Sequence, residues 1–310
     1  MKKLYHIPVM KEEVIHYLDI KANGVYLDCT FGAGGHSFGI LKKLNSSGLL
    51  IGIDSDENNI QPTHTQFSVF KNTQYSLHHS NFIDFPDILD SIKINNLDGI
   101  LLDLGLSSME LDDKSRGFSF QKNGPLDMRF NIEDDLTASK LLNNSSFAEI
   151  SSILKTFGEE KNHRKIAKSI INYVKQNKMN TTFDLRQSIL EVIPQYFANK
   201  TMARVFQAIR IVVNNELIVL KNTLNKTANY LKKGGKLIVI SYHSLEDRIV
   251  KKYITKNTKT CICPKEIPMC VCNQKALYEN ITKKPIIPTK QEILINQKSR
   301  SAKMRIARKI

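Results

Sequence analysis

Long hydrophobic runs are what this sequence most clearly lacks. No apolar stretch in its 310 residues approaches the roughly 20 needed to cross a bilayer, so no membrane association is expected. The opening residues, MKKLYHIPVMKEEV, carry lysines, but acids and a proline follow within a dozen positions. They lack the continuous apolar segment of a secretory signal, and a cytoplasmic protein is expected. Internal repeats and low-complexity segments are absent. Cysteine is scarce, with five residues, and in a cytosolic chain a disulfide framework is not expected. Acids are outnumbered, 30 Asp and Glu against 45 Lys and Arg, for a net charge of +15. The excess gathers at one end: residues 283–310 hold nine Lys or Arg and one acid, Glu292. Such a segment reads either as a solvated, partly disordered tail or as a phosphate-binding arm. Its KSRSAKMRIARK stretch mixes Ser and Met with arginine, which suits docking on RNA; no DNA partner is expected. The chain is also rich in Lys, Asn and Ile, a compositional bias that raises the lysine count without any function.

What is present begins with alternation of strand and helix. Val25–Thr30 is a short apolar run, followed by a glycine turn and a helical stretch from Ser37 to Leu44. Leu49–Asp54 is a second strand ending in an acid, Gln74–His79 a weaker third, and Leu97–Gly105 a strong fourth. The fourth is continuously apolar, as a strand buried on both faces should be. Strands spaced by helices predict a parallel, doubly wound sheet. The next convincing strand is Lys236–His243, after the pair Gly234-Gly235. Most of the intervening span reads helical. Phe147, Ile150, Ile153, Leu154 and Phe157 fall at helical spacing with Gly158 as a stop. Ile166, Ile170, Tyr173 and Val174 mark another helix, and Thr182 is placed to cap one running to Ile193 and ended by Pro194. A long helix is expected from about Met202 through Leu231. These features predict a discontinuous core, 1–105 and 206–310, interrupted by a helical subdomain over 106–205.

The first turn, DCTFGAGGHS (residues 28–37), supplies Gly32, Gly34 and Gly35, but Ser37 stands where a dinucleotide fingerprint has its third glycine. No lysine follows the glycines, which excludes a P-loop. Asp28 ends the first strand and is expected at the mouth of the site. A carboxylate there repels a pyrophosphate and suits a ligand bearing ammonium and sulfonium cations. Asp54, 22 residues after Gly32, is placed to accept both hydroxyls of a ribose, and Asp103 adds a third acid along the same edge. Any one of them could merely cap a turn. Three at successive strand ends favour S-adenosylmethionine over a nicotinamide dinucleotide or ATP.

At this point longer blocks become informative. HIPVM, DCTFGAGGHS, DSD, GILLDLGLSSMELDDKSRGFSF, GPLDMRF, RVFQAIRIVVNNEL, GGKLIVISYHSLEDRIVK and KSRSAKMRIARK occur in that order. From His6 to Lys309 the chain closely resembles the bacterial RsmH (MraW) family, which methylates the N4 amine of a cytidine in the decoding region of 16S rRNA. The resemblance implies a Rossmann-like class I methyltransferase core with a helical insertion for substrate recognition. It also implies S-adenosylmethionine as cofactor and 16S rRNA or the small ribosomal subunit as partner. It carries cofactor contacts onto Gly34, Gly35, His36, Asp54, Phe82 and Asp103, and onto position 110. There the family commonly has Gln and this chain has Glu110, which accepts hydrogen bonds but cannot donate as an amide does. His36 reads equally as a first helical residue, and Phe82 as a core aromatic.

Cytosine's exocyclic amine is a poor nucleophile because its lone pair is delocalised into the ring. Many amino-methyltransferases place an Asp/Asn-Pro-Pro-aromatic element after the fourth strand; this chain has DLGLSS, with no adjacent aromatic. Asp103, Asp127 and His243 are the candidate catalytic residues: Asp103 shaping the cofactor site, Asp127 as an acceptor near the base, and His243 in SYHSLEDR as a proton acceptor. Arg248 is a candidate phosphate contact, and the alternative is that Glu246, Asp247 and Arg248 pair at a helix start. RGFSF (116–120) and PLDMRF (125–130) interleave arginine with phenylalanine, either to stack an extruded base or as packed loops. Catalysis by in-line displacement requires no metal. Cys261, Cys263, Cys270 and Cys272 nevertheless form a C-x-C pair, six residues and a second C-x-C pair, which suits a small zinc clip or a loop of reduced thiols. Cys29 reads as a small buried residue. The competing functions are a non-catalytic RNA-binding assembly factor and a nicotinamide-dependent oxidoreductase.

Overall fold

A computed structural model describes residues 7–60, 67–261, 263, 269, 272 and 274–310. It divides into two compact units, one of residues 1–105 with 217–310 and one of residues 106–216. Residue 205, the expected border, lies inside the helix Gln195–Val213. No helix among the described residues is long and apolar enough to cross a membrane.

The first unit is built on a seven-stranded sheet: β1 Val25–Asp28, β2 Leu49–Asp54, β3 Tyr75–His79, β4 Leu97–Asp103, β5 Leu231–Ser241, β6 Tyr278–Asn280 and β7 Lys303–Lys309. Their order is β3-β2-β1-β4-β5-β7-β6. Strands β1 to β5 are parallel to their neighbours, and β7 runs antiparallel to both β5 and β6. The chain winds outward through β2 and β3, then returns to place β4 on the other side of β1. This creates a topological switch point, where ligands of open α/β sheets bind at the carboxyl ends of the strands. The strands are apolar on both faces because two cores sandwich the sheet. Leu27, Ile51, Ile100, Leu102, Leu237 and Val239 enter one core. Tyr26, Leu50, Leu101, Ile238 and Ile240 enter the other. Successive side chains point to opposite faces, so a strand covered on both sides loses the polar alternation of a half-exposed one.

Gly234 and Gly235 lie inside β5 rather than before it. Leu231 pairs with Leu97 and Lys236 with Gly99, so the register shifts between them. Gly234 absorbs the extra residues at φ 84°, a left-handed conformation that glycine adopts without a Cβ penalty.

Residues Lys303–Lys309 of the basic C-terminal segment form an interior strand of this sheet rather than a disordered tail. Its central residues carry the required pattern: Met304 and Ile306 enter one core and Ala307 the other. Arg305, 6% exposed, donates from Nε to Asp247 Oδ1 at 2.7 Å and from Nη2 to Oδ2 at 3.2 Å. Lys303 Nζ stands 3.8 Å from the same carboxylate. The charge run concealed the strand because its most buried cation is neutralised by a residue 58 positions away.

The second unit packs the helices Ala138–Asn144, Phe147–Thr156, His163–Lys175, Thr182–Leu190 and Gln195–Val213 around a core that includes Leu142, Ile150, Ile166, Leu185 and Val205. Reciprocal caps start two of them, Ser146 with Glu149 and Thr181 with Asp184. Thr181, not Thr182, is thus the cap. Thr182 is the first helical residue, and its hydroxyl donates to Lys122 O at 2.7 Å. The long helix expected over 202–231 is two helices, Gln195–Val213 and Glu216–Tyr230. Asn215 takes φ 51°, as Asn often does beyond a helix end. Asn214 turns its side chain out of the helix, accepting from Phe130 N at 2.7 Å and donating to Met128 O at 2.8 Å.

Replacing Arg305 by Met should cost about 3 kcal/mol, because the largely buried Asp247 loses its bidentate partner. Urea unfolding of Arg305→Met, and of the double variant with Asp247→Asn, checks this. The double variant should recover more than half of the loss.

Candidate active site

Four strand ends converge at the switch point. The turn after β1 is closed by hydrogen bonds to both neighbouring strands: Cys29 N donates to Leu101 O, and Phe31 N to Ile53 O, each at 2.9 Å. Gly32 N donates to Asp54 Oδ2 at 2.6 Å. Asp54 Oδ1 accepts from Asp56 N at 2.8 Å and from Asn59 Nδ2 at 3.1 Å. Thr30 Oγ1 accepts from Asp103 N at 2.6 Å, tying the turn to the end of β4. Gly34 then takes φ 74° and starts the helix Gly35–Leu41. Neither of the last two glycines has room for a side chain. A Cβ on Gly34 would lie 2.8 Å from the Phe67 ring, and one on Gly35 would lie 2.3 Å from Pro8.

Asp28 is 1% exposed and lies beneath the turn rather than at the mouth of the site. It accepts from Ser37 Oγ at 2.7 Å and from Thr30 N at 3.2 Å. Ser37, a defect in a dinucleotide fingerprint, is therefore the partner that satisfies a buried acid. Burial raises the Asp28 carboxyl from 3.8 to about 6, against the opposing pull of Ser37 and His36. Burial also raises Asp54, opposed by its bonds from Asp56, Asn59 and Gly32.

Asp103 is partly exposed. Tyr242 OH donates to its Oδ1 at 2.8 Å, and His36 Nε2 lies 3.3 Å from its Oδ2. His36 is 6% exposed, and neither of its ring nitrogens makes a hydrogen bond. Burial, followed by the charge of Asp103, pushes the Tyr242 hydroxyl well above its usual range, so it stays a donor. Glu292 accepts from Met10 N at 2.7 Å. Burial raises its carboxyl while His36 lowers it. Thr30, Tyr242 and Glu292 were not singled out from the sequence. Thr30 and Tyr242 had a positional signal, Thr30 within the first glycine turn and Tyr242 directly after β5 at the carboxyl edge.

Of the predicted contacts, Gly34, Gly35, His36, Asp54 and Asp103 gather at this edge. Phe82 follows β3 as the first residue of a short 3-10 turn capped by Asn81 and packs against one sheet core. Glu110 belongs to the second unit. It accepts from Ser107 N at 2.7 Å, and its own amide donates to Ser107 Oγ at 3.1 Å, in a capping box. Asp127, in the same unit, is held by Arg129 through Nε at 2.8 Å and Nη2 at 2.6 Å. The RGFSF and PLDMRF loops pack on each other: Phe118 is buried and stacks on Phe130, with centroids 5.7 Å apart. Arg116, also buried, donates to the carbonyls of Arg129 and Phe130 at 2.9 and 2.7 Å. Phe118 and Arg116 are thus structural members of the second unit, not a platform for a base.

His243 caps the helix Ser244–Asn257. Its Nδ1 accepts from Glu246 N at 3.5 Å, and its Nε2 lies 3.2 Å from Glu246 Oε1. Asp247 is engaged by Arg305 of β7, and Glu246 Oε1 lies beside His243 Nε2. Beside β5, Tyr242, His243, Arg300 and Lys303 line part of a cleft of about 280 Å³.

The donor set fits a cationic adenosine cofactor. Acids stand at the ends of β1, β2 and β4, a glycine-rich turn lies between them, and a buried histidine has two nitrogens without hydrogen bonds. Sheet order, antiparallel β7 and these acids define a Rossmann-like methyltransferase, dependent on S-adenosylmethionine. The chain belongs to the MraW methylase family, whose model matches residues 3–310. It is 47% identical over 307 residues to a ribosomal RNA small subunit methyltransferase H of Clostridium botulinum, covering 98% of this chain and 99% of that one. It is 46% identical over 306 residues to the protein of that name from Caldicellulosiruptor saccharolyticus, with the same coverage. It is 41% identical over 310 residues to that from Halothermothrix orenii, covering 99% of each. The oxidoreductase reading is thereby set aside.

The Asp28 carboxyl predicts a pH dependence. Unfolded, it titrates near 3.8; folded, near 6. Between these values the folded state holds the extra proton, so its contribution is complete below pH 3.8 and is lost as pH rises through 6. The displacement corresponds to roughly 3 kcal/mol of ionisation cost above pH 6. Asp28→Asn should flatten the fall in stability between pH 4 and 7, measured by urea unfolding of the cofactor-free protein.

Proposed function

We propose that this enzyme transfers the methyl group of S-adenosylmethionine to the N4 amine of a cytidine in 16S rRNA. In this reading Gly34, Gly35, His36, Asp54, Phe82 and Asp103 hold the cofactor, and Asp103 also orients the acceptor amine. The observation that carries it is the state of Asp103, a partly exposed carboxylate fixed at the switch point by Tyr242 and, through its own amide, by Thr30.

The cofactor supplies an electrophilic methyl group on a sulfonium. The protein's task is to fix the amine in line with it. An Asp103 oxygen accepting an amine N–H holds the lone pair toward the methyl carbon, and alignment of this kind lowers a barrier without covalent chemistry. Asp54 is already committed to Gly32, Asp56 and Asn59, so it presents a fixed acceptor edge to a ribose. The Glu110 carboxylate is occupied by its capping box, which weakens its case as a cofactor contact.

The three candidate catalytic residues now differ. His243 accepts the Glu246 amide on Nδ1 and directs Nε2 at the Glu246 carboxylate. Both ring nitrogens are thereby turned toward the start of its own helix. Asp127 is neutralised by Arg129. Asp103 is the acceptor that remains. The basic residues Arg300 and Lys303 in the cleft beside β5 offer contacts for RNA phosphate.

Asp103→Asn should lower kcat by about 10²-fold or more, the scale of a positioned acid–base group, with S-adenosylmethionine binding measured separately by titration. Labelled methyl transfer to undermethylated small subunits and to naked 16S rRNA reads the rate. His243→Ala should leave turnover within about threefold, since its role here is a cap. Full N4 methylation of 16S rRNA in a strain deleted for this chain would remove the proposal.

A further inference from the structure

The cysteine pattern near the C-terminus is not among the residues gathered around the glycine turn. In the described residues Cys261, Cys263 and Cys272 converge, their Sγ atoms all within 4.8 Å of one another. Cys261 and Cys272, eleven positions apart in sequence, bring Sγ atoms to 3.9 Å. Cys270 lies outside the described residues. Tetrahedral zinc with Zn–S bonds of about 2.3 Å sets its sulfurs about 3.8 Å apart. The Cys261–Cys272 separation already matches that edge, and a disulfide would engage two of the three sulfurs only.

The surroundings suit the same assignment. Residues 258–276 join the helix Ser244–Asn257 to β6, with no helix or strand among those described. A connection of this length without regular structure is uncommon in a compact domain. Its ends are pinned: Leu277 N donates to Asn257 O at 2.8 Å, and Ile310 N to Leu277 O at 3.2 Å. Among the described residues between them, Met269 is 78% exposed and Cys261 is exposed. Lys256, Lys259 and Lys275, all exposed, bracket the thiols. Their positive charge offsets the negative charge of a zinc–thiolate centre.

We infer that Cys261, Cys263 and Cys272 are ligands of a structural Zn²⁺ that staples the 258–276 loop. Binding replaces the three thiol protons by the metal and involves no redox change. The staple belongs to the loop and not to the catalytic edge, so loss of zinc and loss of methyl transfer are separable.

The test is metal analysis of the full-length protein, purified under reducing conditions without chelator. The wild type should contain about one zinc per chain, as a structural site does. Cys261→Ser and Cys272→Ser should each fall below about a tenth of that, while Cys29→Ala, whose cysteine is in the sheet core, should keep it. Cobalt substitution of the wild type should show thiolate-to-metal charge transfer that both serine variants lose. Titration with S-adenosylmethionine on each variant separates loss of the metal from loss of the fold. Wild-type protein that contains no zinc and, fully reduced, takes up none when it is supplied would overturn the inference. Undiminished zinc in both folded serine variants would overturn it as well.

Discussion

The turn after β1 spends its backbone hydrogen bonds on its neighbours, and the rest of the active edge depends on that. Gly32 donates to Asp54 at the end of β2, and Thr30 receives the amide of Asp103 at the end of β4. Three strands are thereby locked at one height, and their terminal acids are placed around the glycine turn. The arrangement tolerates little change. Phe67 and Pro8 already occupy the space where Cβ atoms of Gly34 and Gly35 would stand.

Carboxylates so crowded are costly without a counter-charge. Asp28 is driven to about 6 by burial, and Asp54 is raised for the same reason. A cationic ligand offsets that cost, because opposite charge nearby favours the ionised form. The acids divide their labour by burial. Asp28 supports the turn through Ser37, Asp54 closes it through Gly32, and Asp103 keeps a partly exposed carboxylate held by Tyr242. Tyr242, held as a phenol donor, fixes the orientation of that group.

Much of the fold was legible because parallel strands covered on both faces carry continuous apolar runs. β2 and β4 were recognisable at their first residues on that basis, and the acids at the ends of β1, β2 and β4 followed directly. β7 was obscured because Arg305 looks like surface charge until its partner, Asp247, is seen. The single helix expected through 202–231 failed at Asn214 and Asn215. Periodicity continues across them, while hydrogen bonds to Met128 and Phe130 end the helix. Phe118 and Arg116 suggested base stacking because aromatic and basic residues interleave there, and only packing reveals the loop core they build.

By itself the sequence determined the class of fold, the switch-point turn and the acids around it, since strand period, glycine placement and residue charge are local properties. The tertiary structure decided what each acid does: whether it lies at the mouth or beneath the turn, whether it is free or already paired. It set His243 at a helix start and Asp127 beside Arg129, and it brought Tyr242 to Asp103 across 139 positions. The reason is physical. A carboxylate's reactivity depends on its desolvation and its partners, and both come from residues that are distant along the chain.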